Sequence, residues 1–356
     1  MAPKVVRWAT GGIAETFSRD LLVDPATRDV HEVKHTIVAA ASSSGISRAQ
    51  EFLKTINAPL SAKGYGSYEE FVKDADIDIV YVATPHSHHY QHVMLFWTRY
   101  FPLSVYVRDA ITSGKLGTVI RVFADNSTGV DPEKKFGKEH RMVNPELAGG
   151  VLLDMGIYSL TWVFQTLYTT QPPGTRKPPQ VLSSIRKYPS TGVDELTTIL
   201  LTFPRDEKSG GDMHAVATAG FRTANNIDGQ GTCSPAIRIQ GTNGEVQVWP
   251  PIFRPTRTKL SLADGTTEDK AWPQPGPGKG SGWYNGFLAN KNAEGEGHGM
   301  FWEADEAGMA LVEGRKEGKY EGLDESVLIM EVMDEVRRQN GLKYPDKIEA
   351  TERIEL

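Results

Sequence analysis

The chain has one cysteine, Cys233, so no internal disulfide can form, and a reducing compartment is expected. It has no excess of basic residues: 39 Lys and Arg stand against 45 Asp and Glu, a net charge of -6. That balance offers no basic stripe and argues against nucleic acid or an anionic membrane as a partner held through phosphate contacts. No uninterrupted apolar run reaches the roughly eighteen residues that a bilayer span requires. The opening residues MAPKVVRWAT lack the apolar core of a secretory signal, so a cytoplasmic location is expected. There is no internal repeat. What is present is a chain of 356 residues, 39% hydrophobic and 24% charged, an ordinary globular composition in a length that exceeds one hydrophobic core. Two domains and small-molecule chemistry follow as the working expectation.

The order of elements supports two domains. Val5 to Ala9 reads as a short buried strand that breaks at Thr10-Gly11-Gly12 into a helix running to Leu22. His35 to Ala41 is a second buried strand, followed by polar Ser42-Ser43-Ser44-Gly45 and a helix over Ser47 to Lys54. Ser67 and Glu70 have capping-box spacing, and Ile77 to Ala83 reads as a fully buried strand. Strands alternating with helices predict a parallel, doubly wound sheet over residues 1–102. Beyond Pro102 the texture changes. A helix over Leu103 to Ser113, a strand over Thr118 to Ala124 and a long apolar helix over Gly150 to Tyr168 precede a series of strands. Those strands, at Val181 to Tyr188, Leu196 to Phe203, His214 to Phe221, Ile237 to Gln240 and Glu245 to Trp249, are joined by turns and predict a largely antiparallel sheet in a second α/β domain, residues 103–356. Trp272 to Gly299 is rich in Gly and Pro and reads as a mobile loop, and helices near Phe301 to Glu317 and Glu325 to Gln339 close the chain.

Ala9-Thr10-Gly11-Gly12-Ile13-Ala14 matches the G-x-G-x-x-G/A fingerprint at its second and third positions, Ala9 standing where the first glycine would be. A glycine at 11 lets the backbone approach a pyrophosphate seated on a helix N-terminus. A glycine pair in a tight turn is as often only a turn, and the strand before and helix after it favour the dinucleotide reading. An acidic residue at the tip of the second strand would bind a ribose 2′-hydroxyl and repel a 2′-phosphate. Here that tip is Ser42-Ser43-Ser44 with Arg48 one turn on, which favours NADP over NAD; alternatively, the serines only solvate a loop. Asp154 and Tyr158 stand four apart on the long helix and share a face. On the residues alone, a tyrosine in that setting is more often a packed core group than a catalyst.

The blocks ATGGIAETF, DIVYVATPHSHHYQHVML, WTRYFPLS, HRMVNPELAGGVLLDMGIYSLTWVFQTLY, HGMFWEADE and IMEVMDEVRRQNGLKYP resemble the glucose-fructose oxidoreductase, inositol dehydrogenase and rhizopine-catabolism (Gfo/Idh/MocA) family, in its dimeric dihydrodiol dehydrogenase branch with the fungal NADP-dependent D-xylose 1-dehydrogenases. The resemblance implies a Rossmann domain followed by an α/β domain whose open sheet serves homodimerisation. It implies oxidation of a sugar or trans-dihydrodiol by hydride transfer to NADP, giving D-xylono-1,5-lactone in the xylose case. It makes Tyr158 the acid/base group and places Asp154 with it beside the nicotinamide. Thr10, Gly11, Gly12, Ile13, Ala14, Ser42, Ser43, Ser44, Arg48, Thr84, Pro85 and His86 become cofactor contacts, and His89 falls at the same cofactor-side helix start. Trp97, Arg99 and Phe101 become a substrate-pocket block in which an aromatic face holds the sugar ring and a guanidinium its hydroxyls, with Arg141 and Asn144 supplying further polar contacts.

One part of the family pattern is missing. In the family, the helix after the fourth strand leads to a fifth strand ending in Glu-Lys-Pro, then a helix and a sixth strand; here Leu95 runs through Phe96 into Trp97. The absent lysine is the family's partner of the catalytic tyrosine, and a tyrosine near its ordinary pKa of about 10 is a poor base at neutral pH without a neighbouring cation. Two readings stay open: an oxidoreductase impaired by this loss, and a catalytically inactive nucleotide- or sugar-binding relative with a regulatory or structural role. His88, His89 and His92 have spacings that two zinc ligands could use, yet no nearby Cys, Asp or Glu completes a set, and no metal is expected.

Overall fold

The structure is a computed structural model, and it describes residues 4–8, 12–83, 97–229, 231–283, 285 and 293–349. The chain forms two compact units, Met1–Tyr100 with Pro273–Lys319 and Phe101–Trp272 with Tyr320–Leu356. The first boundary thus falls two residues before the expected 102/103, and the expected continuous second domain is instead interrupted by residues 273–319, which fold with the first unit.

In the first unit, β1 (Lys4–Trp8), α1 (Gly12–Leu21), β2 (Thr36–Ala41), α2 (Ile46–Thr55), β3 (Lys63–Tyr65), α3 (Tyr68–Phe71) and β4 (Ile79–Val82) follow the expected alternation. The strands pair in parallel in the order β3-β2-β1-β4. Ala39, Ala40 and Ala41 are fully buried in β2, small residues that allow helices to pack close, and Ser67 caps α3 by accepting the Glu70 N–H at 3.2 Å. The sequence reading of Ile77 to Ala83 as a fully buried strand is corrected: among the described residues β4 is a sheet edge, and Val80 is 38% exposed.

Residues 273–319 belong to this unit for an electrostatic reason. Asp20, at the end of α1, is fully buried and accepts hydrogen bonds from the N–H groups of His298, Gly299 and Met300, each at 2.7 Å, and from Asn285 Nδ2 at 2.5 Å. Those backbone donors open the helix Phe301–Val312, which has no side-chain cap of its own. One turn further, Asp305 accepts Arg28 Nε at 2.6 Å, Arg28 Nη2 at 3.0 Å and a bond from His35 Nε2 at 2.8 Å, while the Arg28 guanidinium lies 4.8 Å over the Phe301 ring. The Gly- and Pro-rich segment before this helix is irregular, but its described residues are bonded to one another rather than free: Gly278 N–H to Gly295 O at 3.0 Å, Gly295 N–H to Trp283 O at 2.7 Å and Gly297 N–H to Pro275 O at 2.8 Å.

The second unit carries one mixed sheet of eight strands: β5 (Val119–Ser127), β6 (Gln180–Lys187), β7 (Asp194–Phe203), β8 (Met213–Gly220), β9 (Ile237–Gly241), β10 (Gly244–Val248), β11 (Arg257–Leu262) and β12 (Thr267–Ala271), ordered β12-β11-β10-β9-β5-β8-β7-β6. Only β5 and β8 pair in parallel. β11 and β12 were not expected from the sequence, because RTKLSL and TEDKA carry more charge than an apolar strand pattern shows. Alternation along β7 turns Ile199, Leu201 and Phe203 into the core and leaves Leu196 and Leu200 36% and 42% exposed. Leu200 pairs with Leu182 and Val216, and Val216 with Phe123, so an apolar row crosses four strands on the open face. The long apolar segment Pro145–Tyr168 has the length and composition of a membrane span, but 72% of its most apolar 18-residue stretch is buried inside the protein, as in a core helix.

Burial pushes the Asp20 carboxyl up to about 6, against the pull of its N–H donors. A folded-state value above the ordinary one means that the native state holds this proton more tightly, so its contribution to stability is greatest at low pH and is lost as pH rises from about 4 through 6. Asp20→Asn is expected to be less stable than the parent throughout, with the gap in urea denaturation widening as pH falls from 7 to 4; a gap that narrows would contradict the assignment. Asp305→Ala leaves the Arg28 guanidinium buried and is expected to lower stability by about 3–5 kcal/mol in the same measurement.

Candidate functional site

The expected catalytic pair lies at the start of the segment 152–168. This begins with a π turn, Leu152–Gly156, continues as the α-helix Ile157–Val163 and ends in a second π turn, Phe164–Tyr168. Isolated π turns in helices recur at functional sites. Asp154 sits in the first of them and Tyr158 one turn later, both half-buried. Asp154 Oδ1 accepts Arg141 Nη1 at 2.5 Å, so two residues selected from the sequence for different roles, 13 positions apart, form one ion pair. The Tyr158 ring lies 5.9 Å from that of Phe253.

The helix start has no local cap: Ala148-Gly149-Gly150-Val151 supplies no side-chain acceptor. The acceptor comes from β7. Asp194, fully buried, takes the N–H of Val151 at 3.0 Å and of Leu152 at 2.6 Å on its Oδ2, together with the Thr197 hydroxyl at 3.1 Å. Burial pushes its carboxyl up to about 6, while these donors oppose the shift. Gly150 has φ +123°, and a Cβ there would overlap Asp194 Oδ1. Sequence reasoning missed Asp194; the signal available was a helix start without a local cap and an acidic pair, Asp194-Glu195, opening a strand that is apolar at alternate positions, DELTTILLTF.

The loop before the helix carries Arg141. Its Asn144 is engaged as a cap, the Oδ1 accepting the Glu146 N–H at 2.9 Å. His140 accepts the Met142 N–H on Nδ1 at 3.2 Å and stacks on Phe136 at 4.6 Å; burial and the Arg141 charge push its imidazole down.

In the first unit, Gly12 opens α1 and is exposed, Ile13 is half-buried, and Ala14 is fully buried, as the third fingerprint position requires for close helix packing. Thr10, Gly11, Thr84, Pro85, His86 and His89 lie outside the described residues, as do His88 and His92. At the carboxyl end of β2, the Ser42 hydroxyl accepts the Ser44 N–H at 3.2 Å, leaving Ser43 and Ser44 exposed. α2 then begins after Gly45 with no side-chain cap, and Arg48, on its exposed first turn, pairs with Glu51 at 2.8 Å. Uncapped N–H groups, two hydroxyls and a guanidinium, with no acid among residues 42–48, form a donor set suited to a phosphate.

The Trp97, Arg99 and Phe101 block is divided. Trp97 and Arg99 belong to the first unit, 7% and 2% exposed, and Trp97 stacks at 5.0 Å on His298, a residue not selected from the sequence. Phe101 opens the second unit as a fully buried core side chain before the helix Pro102–Thr112.

Comparison with known proteins agrees with this architecture. Residues 22–104 match an oxidoreductase family's NAD-binding Rossmann fold, and residues 105–247 match the GFO/IDH/MocA C-terminal domain. The chain is 42% identical over 391 positions to a D-xylose 1-dehydrogenase (NADP(+)) from Hypocrea jecorina, covering 97% of this chain and 95% of the relative. It is 29% identical to a trans-1,2-dihydrobenzene-1,2-diol dehydrogenase from Bos taurus, covering 96% and 98%. The crystal structure of an aldose-aldose oxidoreductase from Caulobacter crescentus superposes with a TM-score of 0.66 at 19% identity, over 95% of this chain and 97% of that one, a likeness of fold. The Rossmann sheet, the mixed second sheet and the similarity across almost the whole length agree, and the chain belongs to the GFO/IDH/MocA family of oxidoreductases.

Proposed function

We propose that the chain is an NADP-linked oxidoreductase of D-xylose, or of a related sugar or trans-dihydrodiol, whose turnover is weakened by the loss of one catalytic group. The observation that carries the reading is the Arg141–Asp154 ion pair one helical turn before Tyr158. Membership of the family, and the 42% identity to the Hypocrea D-xylose 1-dehydrogenase, supply the reaction class. NADP, when bound, accepts the hydride from the substrate carbon. Ser43, Ser44, Arg48 and the open start of α2 would hold a 2′-phosphate there, and Gly12 the pyrophosphate. Tyr158 takes the proton of the hydroxyl being oxidised, and Asp154 with Arg141 fixes the charge at the helix start that faces this transfer.

The expected weakness comes from a family motif that the sequence lacks. A cation beside a tyrosine favours phenolate. In this family the Glu-Lys-Pro lysine has that part, and this chain has no such motif. Two observations are consistent with a missing internal segment. The alignment to the Hypocrea relative spans 391 positions while the chain has 356 residues. Among the described residues, β4 also ends the parallel sheet where further strands would follow it. The same bare edge favours the second reading, a binding or regulatory relative without turnover.

With D-xylose and NADP, the purified chain is expected to raise absorbance at the reduced-cofactor wavelength about 10² to 10⁴ times more slowly than a version with the Glu-Lys-Pro segment restored. Equal rates would show that the lysine is dispensable, and no turnover in either would favour the binding reading. Sequencing the transcript across Leu95 to Trp97 tests whether the segment is encoded. The apolar row Leu182, Leu200, Val216 and Phe123 is read as the homodimer face; light scattering is expected to give a dimer for the parent and a monomer for Leu200→Glu, and a dimeric variant would refute that placement.

A further inference from the structure

We infer that Asp194 is the positioning residue of the Tyr158 site, its buried carboxylate setting where the helix that carries Asp154 and Tyr158 begins. The inference rests on the reading of Tyr158 and Asp154 as the reacting pair.

The geometry ties three pieces to one side chain. Asp194 Oδ2 accepts the first two N–H groups of the segment 151–152, so the start of the helix is bonded to β7 rather than to its own loop. Thr197, three residues further along β7, fixes the same oxygen through its hydroxyl at 3.1 Å. The other oxygen lies where a Cβ of residue 150 would be, so Gly150 lets the loop pass directly against the carboxylate. The loop is closed on itself directly after Arg141, by Gly150 N–H to Met142 O at 2.9 Å and Gly149 N–H to Asn144 O at 2.9 Å. Helix start, Gly150 and the Arg141 loop therefore meet at Asp194, whose donor Leu152 lies two residues before Asp154.

The neighbouring residue extends the anchor. Glu195, 1% exposed, accepts Arg222 Nε at 2.9 Å, and Arg222 forks onto Glu133 at 2.9 and 2.7 Å, tying residues 131–135, upstream of the Arg141 loop, to the same end of β7. A buried ionisable side chain is costly to keep and cannot relocate without leaving N–H groups unpaired, so it imposes one arrangement where an apolar residue would permit several. Small misplacements of reacting groups reduce rates steeply, and such an anchor serves catalysis by limiting them.

The test uses the full chain and reads Tyr158 directly. The protein is labelled with 3-fluorotyrosine, the Tyr158 fluorine resonance is identified by its loss in Tyr158→Phe, and its titration midpoint is measured. Asp194→Asn and Gly150→Ala are each expected to move the midpoint upward by about half a pH unit or more, because the Arg141 cation is no longer held at the helix start. Phe203→Leu, at the far end of β7, is expected to lower thermal stability comparably and leave the midpoint in place. Thr197→Val, which removes one bond to the carboxylate, should give a smaller upward shift and decides the matter with Gly150→Ala if Asp194→Asn fails to fold. An unmoved midpoint in the anchor variants, or an equal shift in Phe203→Leu, would reduce Asp194 to a stabilising cap. A shift confined to Asp194→Asn would mean that its charge, and not its anchoring, reaches Tyr158, and would also overturn the inference. Failure of the catalytic reading appears elsewhere, as unchanged turnover in Tyr158→Phe of the restored protein.

Discussion

A carboxylate taken out of water must find donors, and in this protein the search for donors decides which segments fold together. Asp20, Asp194 and Asp305 are all buried. Asp20 finds its donors at the start of the helix Phe301–Val312, and Asp305, inside that helix, finds Arg28 and His35. The result is a first unit assembled from residues that are distant in the chain. Asp194 does the same in the second unit, where β7 caps a helix that begins more than forty residues earlier. Asp20 and Asp194 meet backbone N–H groups and are pushed upward by burial, each to about 6. Asp305 suffers the same desolvation, yet Arg28 and His35 hold its carboxyl below the ordinary range.

The two units stand in unequal condition with respect to the family pattern. The second has a continuous eight-stranded sheet, a buried helix and an anchored Arg141–Asp154 pair, all intact among the described residues. Among the described residues, the first has a four-stranded parallel sheet with β4 at its edge. An edge strand with an exposed apolar residue such as Val80 is a site for unwanted pairing.

Local signals were legible where one element explains itself. Ser67 with Glu70 announced a cap, and the cap is there. DELTTILLTF alternates and is a strand with one buried face. The open strand tip Ser42-Ser43-Ser44 was legible as a place without negative charge. Signals failed where the partner is remote. β12, TEDKA, has almost no apolar pattern because its place comes from pairing with β11, and β4 looked fully buried because apolar content does not report how many neighbours a strand has. That Trp97 stacks against His298, from a segment about two hundred residues later, left no local signal at all.

By itself, the sequence determined the two-domain α/β class, the family and the absence of a Glu-Lys-Pro motif, since each of these depends on residue type and short-range spacing. Only the tertiary structure decided that Arg141 pairs with Asp154, that residues 273–319 return to the first unit and that Asp194 starts the Tyr158 helix. Those outcomes depend on where a buried charge finds its donors, and the distance along the chain to a donor leaves no local pattern to read.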